Sequence, residues 1–369
     1  MLDRVLHLID PEAMGWGGLA AAGAFGSDAR GSVSHDFIVL SGSRAVQEQA
    51  DRAGLRALGS IGVPGGFAPP AAAALRRVIA TVPGYDVIGC WGAAALVVAS
   101  LAAPRVERAA ILTAPPRMRG SPIARFEMMR RFKDAAINTR IVLADSDATC
   151  AQWVNASPAL VSRAVVVPTP LSLAARDPVE RARERERWGI DDSRLLVASL
   201  GEPPEAVDAF EFSYRCGVLA VAGLSLAGLV HPRAFQVERA LRFAERHLGL
   251  WSLILEDRRP VEVLHACDVA MWIDDDPSRP LGVSGLRAAA ALEVPIIASD
   301  TPHARAALGG YSRVSYVSPR PARLFARAAL GVLDHAREKP SVQEPAIAPD
   351  PAQWVRTFHD AMRQGACTA

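Results

Sequence analysis

Short aliphatic runs alternate with alanine-rich or amphipathic segments along almost the whole chain, and this alternation limits the possible folds more than any other feature. Strands and helices that alternate at this spacing form crossover units, which build a parallel sheet with helices on both faces. The strands predicted in the first half are Arg4–Asp10, Phe37–Leu40, Tyr85–Trp91, Arg108–Thr113, Ile141–Ala144 and Ala164–Val167. The helices predicted between them are Ala45–Ala53, Pro70–Val82, Ala93–Ala102, Ile123–Asp134 and Ala148–Val154.

The alternation stops near Pro168-Thr169-Pro170 and then restarts after a charged helix, which is predicted over Pro178–Trp188. The second set of predicted strands is Leu195–Leu200, Leu226–Val230, Ser252–Leu255, Val269–Ile273, Pro295–Ser299 and Val314–Val317. The helices predicted among them are Pro204–Ala222, Ala234–Leu248, Val261–Ala266, Val283–Leu292 and Pro321–Leu333. The sequence therefore predicts two Rossmann-like domains, 1–170 and 171–338. Residues 339–369 then form a linker and a helix, Ala352–Arg363, that packs back on the first domain.

Charge and cysteine content exclude several classes of protein. The 369 residues carry a formal charge of only +2, so no strong field favours nucleic acid. The five cysteines are dispersed, which fits a reducing, cytoplasmic setting and neither a zinc site nor a disulfide framework. Two uncharged stretches, Val87–Ala103 and Cys216–Val230, are too short to span a bilayer. Peripheral contact with a membrane stays open.

Two glycine-containing loops are the candidate binding positions. Gly17 and Gly18, in the loop Gly15–Gly18 after the first strand, could bring backbone N–H groups close to a phosphate or a sugar. Gly282, Val283 and Ser284 open the helix predicted over Val283–Leu292, whose positive dipole end favours an anion. Both loops follow strands, so the ligand is expected at the carboxyl ends of the strands, in a cleft between the domains.

The order of several segments resembles the GT-B architecture of nucleotide-sugar glycosyltransferases, and specifically the large retaining family 4. RVLHLID with its glycine loop looks like that family's first strand, and VVVPTPLSL looks like its passage to the second domain. ERERWGIDDSRLLVASLG is similar to the entry into that domain. The run CDVAMWIDDDPSRPLGVSGLRAAAALEVPIIASD, residues 267–300, looks like the donor-site strand, loop, helix and strand.

The sequence departs from this family at three positions where the family carries its chemistry. The family's donor site holds a Glu-x7-Glu pair, and one alignment puts Arg279 and Arg287 at those positions, whereas another puts Pro280 and Ala288 there. The family's diphosphate-binding Arg and Lys have no counterpart in residues 199–205, and its histidine after the fourth strand is replaced by Cys90 or Trp91. Arginine at both carboxylate positions would favour a diphosphate and lose the acceptor for ribose hydroxyls.

The resemblance implies transfer of a sugar from a nucleotide-diphosphate donor with retention of configuration, with the nucleotide-sugar as a substrate and no separate cofactor. A non-catalytic GT-B-like partner or scaffold protein is the alternative. An Asp-x-Asp in Asp274–Asp276 could hold Mg²⁺ or Mn²⁺, but an acidic loop is favoured and no metal is expected. His7 is expected in the core, whereas His231 and His303 follow or end strands and could line the site.

Overall fold

The computed structural model of the chain describes residues 2–10, 21–25, 33–41, 57–63, 68–82, 84–113, 121–171, 177–201, 206–246, 251–258, 260–275, 281–318, 325–331 and 351–364. The chain divides into two compact units, Met1–Leu171 with Pro349–Ala369 and Ser172–Ala348. Each unit contains one parallel sheet, which confirms the predicted tandem Rossmann-like architecture.

The first unit contains a seven-stranded sheet in the order β3-β2-β1-β4-β5-β6-β7. Its strands are β1 Arg4–Ile9, β2 Ser34–Val39, β3 Ala57–Ser60, β4 Val87–Trp91, β5 Glu107–Leu112, β6 Ile141–Ala144 and β7 Ala164–Val166. Its helices are α1 Ala68–Thr81, α2 Ala93–Ala102, α3 Pro122–Ile137 and α4 Asp147–Ala156, with a 3-10 helix at Pro158–Arg163. Residues 21–25 are also helical.

The second unit contains a six-stranded sheet in the order β10-β9-β8-β11-β12-β13. Its strands are β8 Leu195–Leu200, β9 Leu226–Val230, β10 Trp251–Leu255, β11 Val269–Trp272, β12 Ile296–Ser299 and β13 Val314–Val317. Its helices are α5 Pro178–Arg187, α6 Ala209–Val221, α7 Val237–Arg246, α8 Pro260–Val263, α9 Ser284–Ala291 and α10 Pro302–Leu308. A 3-10 turn at Leu264–Ala266 and a helical segment at 325–331 complete it.

The C-terminal helix α11, Pro351–Gln364, belongs to the first unit. Successive side chains of a strand point to opposite faces, so β1 serves two cores. Val5 and Ile9 share one core with Trp354 and Phe358 of α11. Leu6 and Leu8 point to the opposite face, where they share the other core with buried residues of α1 to α4. The C-terminal helix therefore covers the sheet face opposite α1 to α4.

The structure corrects several predicted boundaries. The helix predicted from Pro204 begins at Ala209, because the Asp208 side chain accepts hydrogen bonds from the backbone of Phe210 and Glu211 and so caps the helix there. Strand β3 and helix α10 were missed. The helix predicted over 45–53 lies outside the described residues, as does most of the predicted linker.

Further predicted boundaries differ by a few residues. The helix predicted over 261–266 is the short α8 followed by a 3-10 turn, and the described part of the helix predicted over 321–333 spans 325–331. Among the described residues, no helix is both long and apolar enough to cross a membrane.

Candidate functional site

The strand order identifies one special position in each sheet. The order reverses between β1 and β4 in the first unit and between β8 and β11 in the second, so connections leave these neighbours toward opposite faces. A crevice opens at the carboxyl end of such a pair, and ligands of open parallel sheets bind there. In the second unit, the strands that flank this point end at Leu200 and Trp272.

The helices that follow the later strand of each pair have N-termini without a side-chain cap. These are α2, whose N-cap is Gly92, and α9, whose N-cap is Val283. By contrast, the described N-caps of α3, α4, α5, α6 and α10 all accept a hydrogen bond from their helix; they are Ser121, Ser146, Asp177, Asp208 and Thr301. At such an N-terminus the N-cap side chain does not occupy the first N–H groups, and these groups and the positive dipole end favour an anion.

The loop before α9 lies directly against the end of β8. Gly201 has a φ of +150°, and a Cβ added there would meet Leu281 Cδ2 at 3.0 Å and Val207 Cγ2 at 2.6 Å. A Cβ added at Gly285, in the first turn of α9, would lie 3.9 Å from the backbone nitrogen of Gly201. Gly201 therefore leaves room for the side chains of Val207 and Leu281, and the first turn of α9 lies beside the carboxyl end of β8.

The indole of Trp272 fixes the backbone at the start of α9. Trp272 is fully buried, and its Nε1 donates to the carbonyl oxygen of Gly282 at 3.2 Å. Tryptophan has only this one donor, and burial makes an unsatisfied partner costly. The bond therefore holds the loop that carries Gly282, Val283 and Ser284 in one orientation.

The acidic loop after β11 is bound to neighbouring side chains. Asp275 accepts from the hydroxyl of Ser299 at 2.8 Å, and the Arg215 guanidinium lies 3.8 Å from its other oxygen. The backbone N–H of Asp274 donates to the same Ser299 hydroxyl at 3.0 Å. Among the described residues, no group of three His, Cys, Asp or Glu side chains could hold a metal ion, and Asp276 lies outside them.

The predicted site residues are only partly brought together. Gly282, Val283, Ser284 and Arg287 lie on the loop before α9 and on its first turn. Gly17, Gly18 and Arg279 lie outside the described residues. His231 directly follows β9, where its Nδ1 accepts from the backbone N–H of Arg233, and His303 lies on α10.

At the reversal point of the first unit, a row of three histidines and a tryptophan crosses the core. Trp91 Nε1 lies 3.1 Å from His7 Nδ1, and His7 Nε2 lies 2.9 Å from His35 Nδ1. His35 Nε2 in turn lies 3.1 Å from Nε2 of His359, on α11. Because the indole can only donate, His7 accepts at Nδ1 and donates from Nε2, and His35 then donates to His359. We name these four residues the histidine row.

His7 and His35 are neutral at pH 7. Burial, with His35 and His359 nearby, lowers the pKa of His7 well below its usual value. Burial and His359 lower the pKa of His35 to about 4, although Asp36 opposes that shift. Sequence reasoning placed His7 in the core but missed the row, because its members lie on β1, β2, β4 and α11, far apart along the chain.

Solved structures of very different sequence have this fold. The HepE protein of Anabaena, in a complex with UDP and glucose, matches with a TM-score of 0.73 at 13% identity, over 98% of this chain and 100% of that one. Sucrose-phosphate synthase of Thermosynechococcus elongatus matches with a TM-score of 0.61 at 13% identity, over 98% of this chain and 94% of that one. UDP-GlcNAc 2-epimerase of Methanocaldococcus jannaschii matches with a TM-score of 0.61 at 12% identity, over 98% of this chain and 100% of that one.

Sequence comparison matches the chain to no protein-family model and to no curated protein. Identities this low carry the fold alone, and the matched structures include both transferases and epimerases. The GT-B part of the predicted resemblance is confirmed. The chain has the GT-B fold, with two tandem Rossmann-like domains and a C-terminal helix.

Proposed function

We propose that this chain is a glycosyltransferase-like protein that takes a nucleotide-diphosphate sugar as donor and transfers the sugar to an acceptor. The observation that carries the proposal is the N-terminus of α9, whose N-cap residue Val283 makes no side-chain cap and which lies at the β8–β11 reversal point. Several N–H groups and a helix dipole that meet at such a crevice suit a diphosphate better than a neutral ligand.

The similarity to HepE supports the choice of a nucleotide donor. HepE has been solved with UDP, with UDP-glucose, and with UDP and glucose, and its chain superimposes on almost the whole of this one. We therefore take UDP as the first probe. The donor site we propose departs from that of family 4, because no glutamate stands at the Glu-x7-Glu positions in either alignment.

Arginine in place of a carboxylate changes which part of the nucleotide is held. A carboxylate that accepts two ribose hydroxyls contributes roughly 1.5–3 kcal/mol, which is about 10- to 150-fold in affinity. Arginine has no acceptor but does attract phosphate. We therefore expect binding that depends on the diphosphate, tolerates different bases and loses little when the ribose hydroxyls are removed.

Isothermal titration with UDP, GDP and their 2′,3′-dideoxy forms tests this proposal. We expect both nucleotides to bind weakly, with little loss for the dideoxy forms. Arg287→Gln should weaken UDP binding about tenfold, since a charge-assisted bond to phosphate is lost. Arg305→Gln is the matched control, because Arg305 lies on α10 and binds Asp300. No binding of any nucleotide would contradict the proposal.

A non-catalytic role is the second candidate, and the three departures from the family's chemical positions favour it. The two roles differ in turnover once binding is established. Release of UDP from UDP-glucose in the presence of cell extract as acceptor source supports the transferase. Nucleotide binding without any release of UDP under those conditions supports a partner protein that uses the site only to bind.

A further inference from the structure

Helix α3 carries an exposed face that combines apolar and basic side chains. Ile123 is 76% exposed, Phe126 is 74% exposed and Ile137 is 57% exposed. Arg130 and Lys133 are also exposed. At 100° per residue, these five side chains lie within an arc of about 80°. We name this arc the outer face of α3.

The outer face is not a consequence of a badly packed helix. The opposite side of α3 buries Ala124, Met128, Phe132 and Ala135 in the core of the first unit, and Ser121 caps the helix N-terminus. The exposed apolar residues therefore contribute nothing to the core. An exposed Phe and two exposed Ile on one helix side face water at a cost, which indicates a partner.

The charges of α3 point to an anionic partner. The helix carries Arg125, Arg130, Arg131 and Lys133 against only two carboxylates, Glu127 and Asp134. Glu127 lies between two arginines, at 2.9 Å from Arg130 Nη2 and 2.7 Å from Arg131 Nε. Asp134 and Glu127 lie about 20° and 40° beyond the Ile123 edge of the arc. With four basic side chains against these two carboxylates, α3 carries a net charge of +2.

The end of the helix adds a further cation. Arg163, which follows the exposed Val161, donates through Nη1 to the backbone carbonyl oxygens of Ala136 and Ile137, at 3.2 and 2.5 Å. A guanidinium therefore lies at the C-terminal end of the outer face, next to Ile137. The combination of apolar and basic side chains extends along the full length of α3.

From this arrangement we infer that the outer face of α3 docks on an anionic phospholipid bilayer. Phe and Ile can enter the boundary between headgroups and acyl chains while Lys and Arg extend along the surface to the phosphates. A protein partner fits less well, because Lys133 lies between Phe126 and Ile137 along the helix and lysine is depleted from the cores of protein interfaces. This docking is independent of the proposed donor site, which belongs to the other unit.

Co-sedimentation of the full chain with vesicles tests the inference. One set of vesicles contains phosphatidylcholine alone and the other adds phosphatidylglycerol. We expect binding to the anionic vesicles only, weakened by added salt. Lys133→Gln should lower the partition coefficient about fivefold, since each basic residue at an anionic surface contributes about that factor. Phe126→Ser should lower it about tenfold or more.

Matched controls come from α5, where Val179 is 72% exposed and the Arg183 side chain is 77% exposed. Val179→Ser and Arg183→Gln should leave vesicle binding unchanged. Equal binding to neutral and anionic vesicles, no binding at all, or equal losses in the control variants would overturn the inference. Sedimentation equilibrium of the wild type and Phe126→Ser completes the test. If the wild type is a dimer and Phe126→Ser is a monomer, the outer face of α3 is a contact between two copies of the chain. That result would also overturn the inference.

Discussion

Acid should loosen the C-terminal helix α11 through the histidine row. Every ring nitrogen that joins two members already donates or accepts, so a proton added to His35 puts two donors against each other. The pKa of His35 falls from about 6.5 in an unfolded chain to about 4 in the fold. A lowered pKa means that the neutral form stabilises the fold, and this stability is present above pH 6.5 and lost as the pH falls toward 4.

The size of the effect follows from the shift. A fall in the His35 pKa from about 6.5 to about 4 corresponds to a loss of about 3 kcal/mol in unfolding free energy once His35 is protonated in both the folded and the unfolded state. At about pH 5 the loss is about 2 kcal/mol. His7, whose pKa is also lowered, adds a loss in the same direction. Asp36 next to His35 offsets only part of the shift, and Arg4 Nη2 and the Tyr85 hydroxyl bind that carboxylate at 2.7 and 3.0 Å.

Urea unfolding followed by tryptophan fluorescence measures the effect, since Trp91 and Trp354 both lie in this core. His35→Gln keeps one acceptor and one donor but cannot titrate. We expect its loss of unfolding free energy between about pH 7 and about pH 5 to be about 2 kcal/mol smaller than that of the wild type. His303→Gln, on α10, is the control. Equal pH dependence in His35→Gln and the wild type would refute the reasoning.

Three further substitutions test the second unit. Arg287→Glu should create a preference of about 10-fold or more for UDP over its dideoxy form in titration calorimetry, and no gain would mean that position 287 is not the family's ribose-binding carboxylate position. Gly201→Ala should lower the unfolding free energy by about 1–3 kcal/mol, because its Cβ would meet Val207 Cγ2 at 2.6 Å. Gly331→Ala, with nothing within 4 Å, is the control, and equal stability of the two variants would contradict this. Trp272→Phe should cost about 1 kcal/mol of stability and weaken UDP binding, because the backbone before α9 loses its indole donor; unchanged affinity would contradict the role of that bond.

The sequence predicted most strands of both sheets, and several to the residue, because buried parallel strands are short continuous aliphatic runs. Leu195–Leu200 and Leu226–Val230 are such runs. Strand β3 was missed since its residues, ALGS, include no β-branched or aromatic side chain. Helix α10 has only seven residues and gives too short a pattern to recognise.

The candidate site was predictable only in part. A glycine before an apolar helix indicated the α9 loop, but its relation to β8 depends on strand order, which single segments do not encode. The absence of a side-chain cap at Val283 became meaningful only beside the capped helices. The histidine row joins positions 7, 35 and 359, and no local pattern predicts a contact over such a separation.

A crystal structure of the chain with UDP tests the central claim most directly. The account predicts diphosphate oxygens within hydrogen-bond distance of backbone N–H groups in the first turn of α9, with the loop after β8 beside them. UDP bound with its diphosphate away from that turn, held by other side chains, would contradict the account.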